Sequence, residues 1–107
     1  MSTVNKRLAF LEDSVAKGSQ DPFAWYGLAM EYRKLERWDD ALATFEKLRA
    51  FAADYVAMYL MCGQMLEGRG KKDDAKSWYD AGIAQAKKKG DTHALSELEG
   101  ALRTLEG

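Results

Sequence analysis

The sequence holds a single cysteine, a single proline and a single histidine. One cysteine cannot close an internal disulfide, so the core must hold without covalent staples. At 107 residues it can, because a chain of this size buries roughly two thirds of the surface its unfolded form exposes. No apolar run approaches the ~20 residues that span a bilayer, which excludes a membrane helix. The opening stretch MSTVNKRLAFLEDS lacks the unbroken apolar segment of a secretory signal, so a cytoplasmic address is expected. Charge of one sign is missing too: 16 basic against 17 acidic residues leave a net charge of −1. That balance offers no footprint for nucleic acid or for an anionic membrane. With so few nucleophiles and bases, and no seryl motif, the common catalytic constellations cannot be assembled, and the chain is not expected to be an enzyme. No pair of His, Cys or acidic residues has metal-ligand spacing, so neither a metal nor a cofactor is expected. What is abundant is Ala, Leu, Glu and Lys, with few Val, Ile or Thr, a composition that favours helix over strand throughout.

The positive signal is an internal repeat. Asp39-Asp40-Ala41-x-x-x-Phe45 recurs as Asp73-Asp74-Ala75-x-x-x-Tyr79, and Trp25-Tyr26-x-Leu28-Ala29 recurs as Tyr59-Leu60-x-Cys62-Gly63, both at an offset of 34 residues. A 34-residue period carrying W-x2-L-G-x2-Y and then A-x3-F is the pattern of the tetratricopeptide (TPR) repeat, which the chain resembles. The first unit, residues 22–55, supplies Trp25, Leu28, Ala29, Tyr32, Ala41 and Phe45. The second, residues 56–89, supplies Tyr59, Cys62, Gly63, Leu66, Ala75 and Tyr79. Neither has the closing proline, since Ala53 and Lys87 stand there. Residues 1–20 read as an N-terminal half-repeat helix and 90–107 as a C-terminal capping helix, making one TPR domain of residues 1–107. The resemblance implies an all-α fold, a short right-handed α-solenoid of antiparallel helix pairs, and in layout the chain resembles stand-alone bacterial repeat proteins.

The residues explain why such pairs form. Ala29, Gly63, Ala41 and Ala75 are small, so paired helices can approach to about 8 Å, while Trp25, Tyr32 and Phe45 fill the space beside the contact. Asp21 before Pro22 is an N-cap followed by a first-turn proline. Gly68 and Gly90 stand where helix-ending left-handed residues are expected. Val4, Leu8, Leu11 and Val15 mark one face of a first helix that Lys17-Gly18 ends. Leu95, Leu98, Leu102 and Leu105 make a stripe opposite Glu97, Glu99, Arg103 and Glu106, as a helix covering the last repeat requires. Six helices are expected, near 3–17, 22–35, 38–51, 55–67, 72–88 and 92–105.

Several features that suggest chemistry read better as structure. Asp39-Asp40 and Asp73-Asp74 are not a catalytic pair: they recur with the repeat at helix starts, where negative charge suits the backbone dipole. Gly63 and Gly68 have phosphate-loop spacing, but Arg69 replaces the lysine and Gly63 belongs inside a helix. Lys87-Lys88-Lys89 suits a solvated last turn. Cys62 takes a core position, and His93, in the first turn of the last helix, reads as packed or half-exposed.

Function is therefore expected on a surface. In the family the chain resembles, the first helix of each repeat lines a concave face that holds the ligand. That resemblance places Phe23, Tyr26, Met30, Arg33 and Lys34 on one groove helix and Ala57, Leu60, Met61, Gln64 and Glu67 on the next. Ala94, Leu95 and Leu98 extend the surface if the last helix continues the register, and otherwise form core. Family members that grip a terminal carboxylate use Lys, Arg and Asn where this chain has Tyr26, Met30 and Met61, which argues against that specificity. An apolar peptide or amphipathic helix suits an adaptable, methionine-rich groove better. The leading expectation is a protein-protein interaction module, an adaptor or scaffold. The alternative is self-association through the same groove, for instance as a homodimer, with a small-ligand binder or enzyme behind both.

Overall fold

The computed structural model describes residues 5–107, so Val4 lies outside the described residues. These residues form six α-helices: α1 (Lys6–Ala16), α2 (Pro22–Lys34), α3 (Trp38–Phe51), α4 (Ala57–Gly68), α5 (Lys72–Lys89) and α6 (Thr92–Glu106). No strand occurs among them.

Local chemistry sets the helix edges. Asn5 Oδ1 accepts from the Leu8 amide at 2.9 Å, Asp21 Oδ1 from Phe23 at 3.0 Å, and Asp91 Oδ1 from Ala94 at 3.0 Å, each satisfying a donor the first helical turn leaves open. Pro22 follows Asp21 at the start of α2, where its missing N–H costs nothing. Helices α3 and α5 lack a capping side chain and begin with Asp39-Asp40 and Asp73-Asp74 in the first turn.

The turns after α2 and α4 are the same turn, 34 residues apart. The Arg37 amide donates to Tyr32 O and the Lys71 amide to Leu66 O, both at 2.9 Å, closing each helix five residues back. The residue inside each loop is left-handed: Glu36 at φ 60° and Gly70 at φ 78°. Gly68, expected to be the left-handed terminator, is instead the last residue of α4. Its counterpart in the first repeat is Lys34, also helical, so the turn needs positive φ two residues later. Gly90 does end α5 in the left-handed region, at φ 72°.

The chain divides into two compact units, one ending at Ala52 and the other beginning at Ala53. In the first, the three-residue turn folds α3 back along α2, and Leu28, Ala29, Ala41, Phe45 and Leu48 are buried. Trp25 donates its indole N–H to Ser19 O at 2.7 Å and meets Phe51 edge-on, with ring centroids 5.9 Å apart. Helix α1 lies on α2 where Gly27 leaves room for Leu11. Beside that contact, the carboxylate of Glu31 is buried with Arg7 Nε at 3.3 Å and Asn5 Nδ2 at 3.0 Å. Tyr32 donates its hydroxyl to Glu12 at 2.5 Å under the guanidinium of Arg37, which sits 4.6 Å from the ring centre. Burial, the hydrogen bond to Glu12 and that carboxylate's charge together push the Tyr32 phenol up to about 12.

In the second unit α4 and α5 form the corresponding hairpin, and α6 packs on both. Tyr59 donates to Ala53 O across the same six-residue reach that joins Trp25 to Ser19. The Tyr79 ring lies over Gly63, and Gly82 admits Tyr59 Cβ and the Leu98 methyls. Met58, Tyr59, Cys62, Leu66, Ala75, Tyr79, Ala86 and Leu98 are buried. Each large apolar side chain so placed contributes roughly 1.5–3 kcal/mol. Of the leucine stripe, Leu98 and Leu105 are buried while Leu95 and Leu102 are half-buried, so it serves as core.

Candidate protein-binding surface

The expected groove residues of α2 differ in exposure. Phe23 is 66% exposed in the first turn, Lys34 is exposed in the last, and Tyr26, Met30 and Arg33 are half-buried between them. Spacings of three, four and seven along this helix bring Phe23, Tyr26 and Met30 to one face. A further exposed aromatic of this unit, Phe10 on α1, is 70% exposed.

On α4, Leu60, Met61 and Glu67 are half-buried and Ala57 and Gln64 exposed. Three of these five, Leu60, Gln64 and Glu67, line one wall of an open cleft of about 630 Å³. The opposite wall is α6, which presents Glu97, Gly100, Ala101 and Thr104, and Tyr79 of α5 forms part of the lining between them. Ala57 and Met61 do not line it. The volume falls within the range of roughly 300–1,000 Å³ typical of ligand sites.

The cleft exists because α6 is offset from the repeat. A strict 34-residue register would put Leu98 in the place of Gln64, yet Leu98 turns inward against Gly82, and the small residues Gly100 and Ala101 face α4 instead. A Cβ added at Gly100 would meet only Arg103 Nη2, at 3.8 Å, so packing does not demand glycine there. The cleft's charge is all negative: Glu67 and Glu97 are the ionisable carboxylates of the lining, which contains no Lys or Arg. Tyr79 donates to Glu67 Oε1 at 2.8 Å and so holds that carboxylate in place. Sequence reasoning missed Glu97, Gly100, Ala101 and Thr104. A glycine in mid-helix without a turn to make was the available signal for Gly100.

Residues set aside on sequence grounds fall in structural or solvated places. Cys62 is buried in α4. His93 is more exposed than expected, with 87% of its side chain in solvent and Nε2 3.4 Å from Glu97 Oε1. Gly63 lies inside α4, with no open loop to cradle a phosphate. Lys89 reaches Asp54 O at 3.1 Å from the end of α5, and Lys87 and Lys88 are exposed in the same turn. Among the described residues no group of three or more His, Cys, Asp or Glu side chains is arranged to hold a metal ion, and no helix is long and apolar enough to cross a membrane.

Comparison with known proteins agrees with this architecture. A tetratricopeptide repeat domain protein from Salinibacter ruber, solved both by NMR and by crystallography, is 40% identical to this chain over 81% of its length. The match covers 88% of the NMR chain at a TM-score of 0.78 and 98% of the crystal chain at 0.76. A protein of Bordetella parapertussis, solved in solution, is 26% identical, with 99% of this chain and 90% of that one covered at a TM-score of 0.79. No family model and no curated protein matches the sequence. With the small-residue positions buried, the two turns repeating at 34 residues and a relative 40% identical over most of both chains, this chain belongs to the tetratricopeptide-repeat family.

Proposed function

We propose that the chain is a non-catalytic protein-interaction module, an adaptor or scaffold, whose first-helix faces take an apolar peptide or amphipathic helix. The observation that carries this reading is the open cleft between α4 and α6, walled by first-helix residues Leu60, Gln64 and Glu67. On α2, Phe23, Tyr26 and Met30 supply the adaptable apolar contacts of such a surface. A handful of these side chains, at roughly 1.5–3 kcal/mol each when fully buried, supports the ~8 kcal/mol of a micromolar complex after association costs.

The test is a double variant, Met30→Glu with Leu60→Glu, used beside the parent to capture proteins from the native host. The variant keeps its helical circular dichroism and loses the parent's partner, whereas Lys88→Glu with Lys89→Glu retains it. A folded double variant that captures the same partner equally well refutes the reading, as does one that unfolds. Self-association is the second reading, favoured by the exposure of Phe10 and Phe23. A mass that rises with concentration, measured by light scattering, and stays monomeric in Phe10→Ser with Phe23→Ser, distinguishes it.

A further inference from the structure

We infer that the segment held in the α4/α6 cleft carries a basic side chain, a lysine or arginine, set among small apolar residues. This rests on the interaction-module reading above and specifies its partner's chemistry. The cleft has an apolar side, Leu60 and Ala101, and room at Gly100, where a side chain would meet Arg103 Nη2 at 3.8 Å. Its charge is supplied by Glu67 and Glu97, one on each wall, and no cation among its lining residues neutralises them. Arg103 reaches back toward Gly100 but does not line the cleft.

Glu67 is the better-defined anchor. The Tyr79 hydroxyl fixes one carboxylate oxygen at 2.8 Å, and Tyr79 is itself buried, so the acceptor is positioned before a ligand arrives. An ionised carboxylate offers about four lone-pair sites, and one phenol uses only one of them. A guanidinium or ammonium satisfies the remainder with charge-assisted hydrogen bonds, whereas an acidic partner would bring like charge into a confined, partly desolvated site. Glu97 meets the exposed His93 at 3.4 Å, a contact a ligand cation can replace. From Leu60 to Gly68 the α4 wall runs about 12 Å at 1.5 Å per residue, enough for a segment of three or four extended residues. Small neighbours on that segment fit beside Gly100 and Ala101, where bulky ones would hold the basic group away from the carboxylates.

The experiment is selection of nine-residue peptides from an unbiased display library on the full chain. The enriched peptides are then measured by fluorescence anisotropy on the parent chain and on Glu67→Gln with Glu97→Gln. These substitutions keep the side-chain shape and an acceptor for Tyr79, so the fold is preserved, which circular dichroism checks. The expected result is enrichment of a Lys or Arg flanked by small apolar residues. Affinity should fall roughly tenfold or more in the glutamine variant and be lost in Gly100→Trp, which fills the cleft. Enriched peptides that are neutral or acidic, or basic ones indifferent to both variants, overturn this inference and leave the interaction-module reading standing. A library that yields no binder on the parent chain overturns both.

Discussion

One substitution, glycine to alanine, tests the packing at three helical positions, because the structure assigns it opposite signs. In a helix interior alanine is favoured over glycine by about 0.8–1 kcal/mol. At Gly100 nothing opposes that gain: the new methyl meets only Arg103 Nη2, at 3.8 Å, an ordinary contact. Gly100→Ala is expected to stabilise by about 0.5–1 kcal/mol. At Gly63 the same methyl would lie 2.7 Å from Tyr79 Cδ1 and closer still to Cε1. The ring is buried and tethered through its hydroxyl to Glu67, so it cannot swing aside freely. Overpacking of this kind costs about 1–3 kcal/mol, which exceeds the propensity gain and leaves Gly63→Ala neutral to ~2 kcal/mol destabilising. At Gly82 the obstruction is Tyr59 Cβ at 2.5 Å, an atom fixed to the backbone of α4, with Leu98 methyls at 3.0 and 3.1 Å. The loss there should be the largest of the three. Thermal unfolding followed by circular dichroism resolves these differences, since each 1 kcal/mol shifts the melting midpoint by roughly 4–8 °C in a domain of about this size. Should Gly63→Ala stabilise as much as Gly100→Ala, the close approach of α4 and α5 at Tyr79 is not real.

Three further outcomes follow from the same geometry. Glu36→Gly should stabilise by about 0.5–1 kcal/mol because Glu36 sits at φ 60°, while Gly70→Ala at the equivalent φ of 78° should cost about 1 kcal/mol from backbone strain alone, with no clash against other residues; thermal unfolding of both variants checks the pair. Tyr32 is held at about 12 against 10.0 for the free phenol, so it contributes stability in full below pH 10 and loses it as pH rises through about 12; Tyr32→Phe should show a shallower alkaline loss in pH-dependent melting. Ala41→Leu and Ala75→Leu place extra methyls at fully buried positions, and each should lower stability by roughly 1–3 kcal/mol in chemical denaturation.

Helix number and boundaries were legible because they are written in local chemistry. Asp21-Pro22, the paired aspartates of α3 and α5, and Gly90 each mark an edge without reference to distant residues. The 34-residue period likewise locates Ala29, Ala41, Ala75 and Phe45 in the core, since identical turns impose identical helix faces. What depends on one helix meeting another was less visible. Nothing in the spacing of Leu95, Leu98, Leu102 and Leu105 says that α6 is offset so that Gly100 and Ala101 face α4, because that is decided by Gly82 admitting Leu98. Glu31 reads as a surface residue of α2 until α1 brings Arg7 and Asn5 over it. Gly68 misled because glycine suits both a helix end and a left-handed position, and Gly70 lay two residues away to take the latter.

The repeated turn also bears on how quickly the chain folds. Helices α2 and α3, like α4 and α5, are joined by three residues, and the main helix pairings link sequence neighbours apart from α4 with α6. Bringing such partners together costs little loop-closure entropy, which grows only with the logarithm of the intervening length. Each hairpin can therefore begin to form around its own turn, at Glu36 or at Gly70, and folding belongs to the microsecond-to-millisecond regime of helical proteins with short-range contacts.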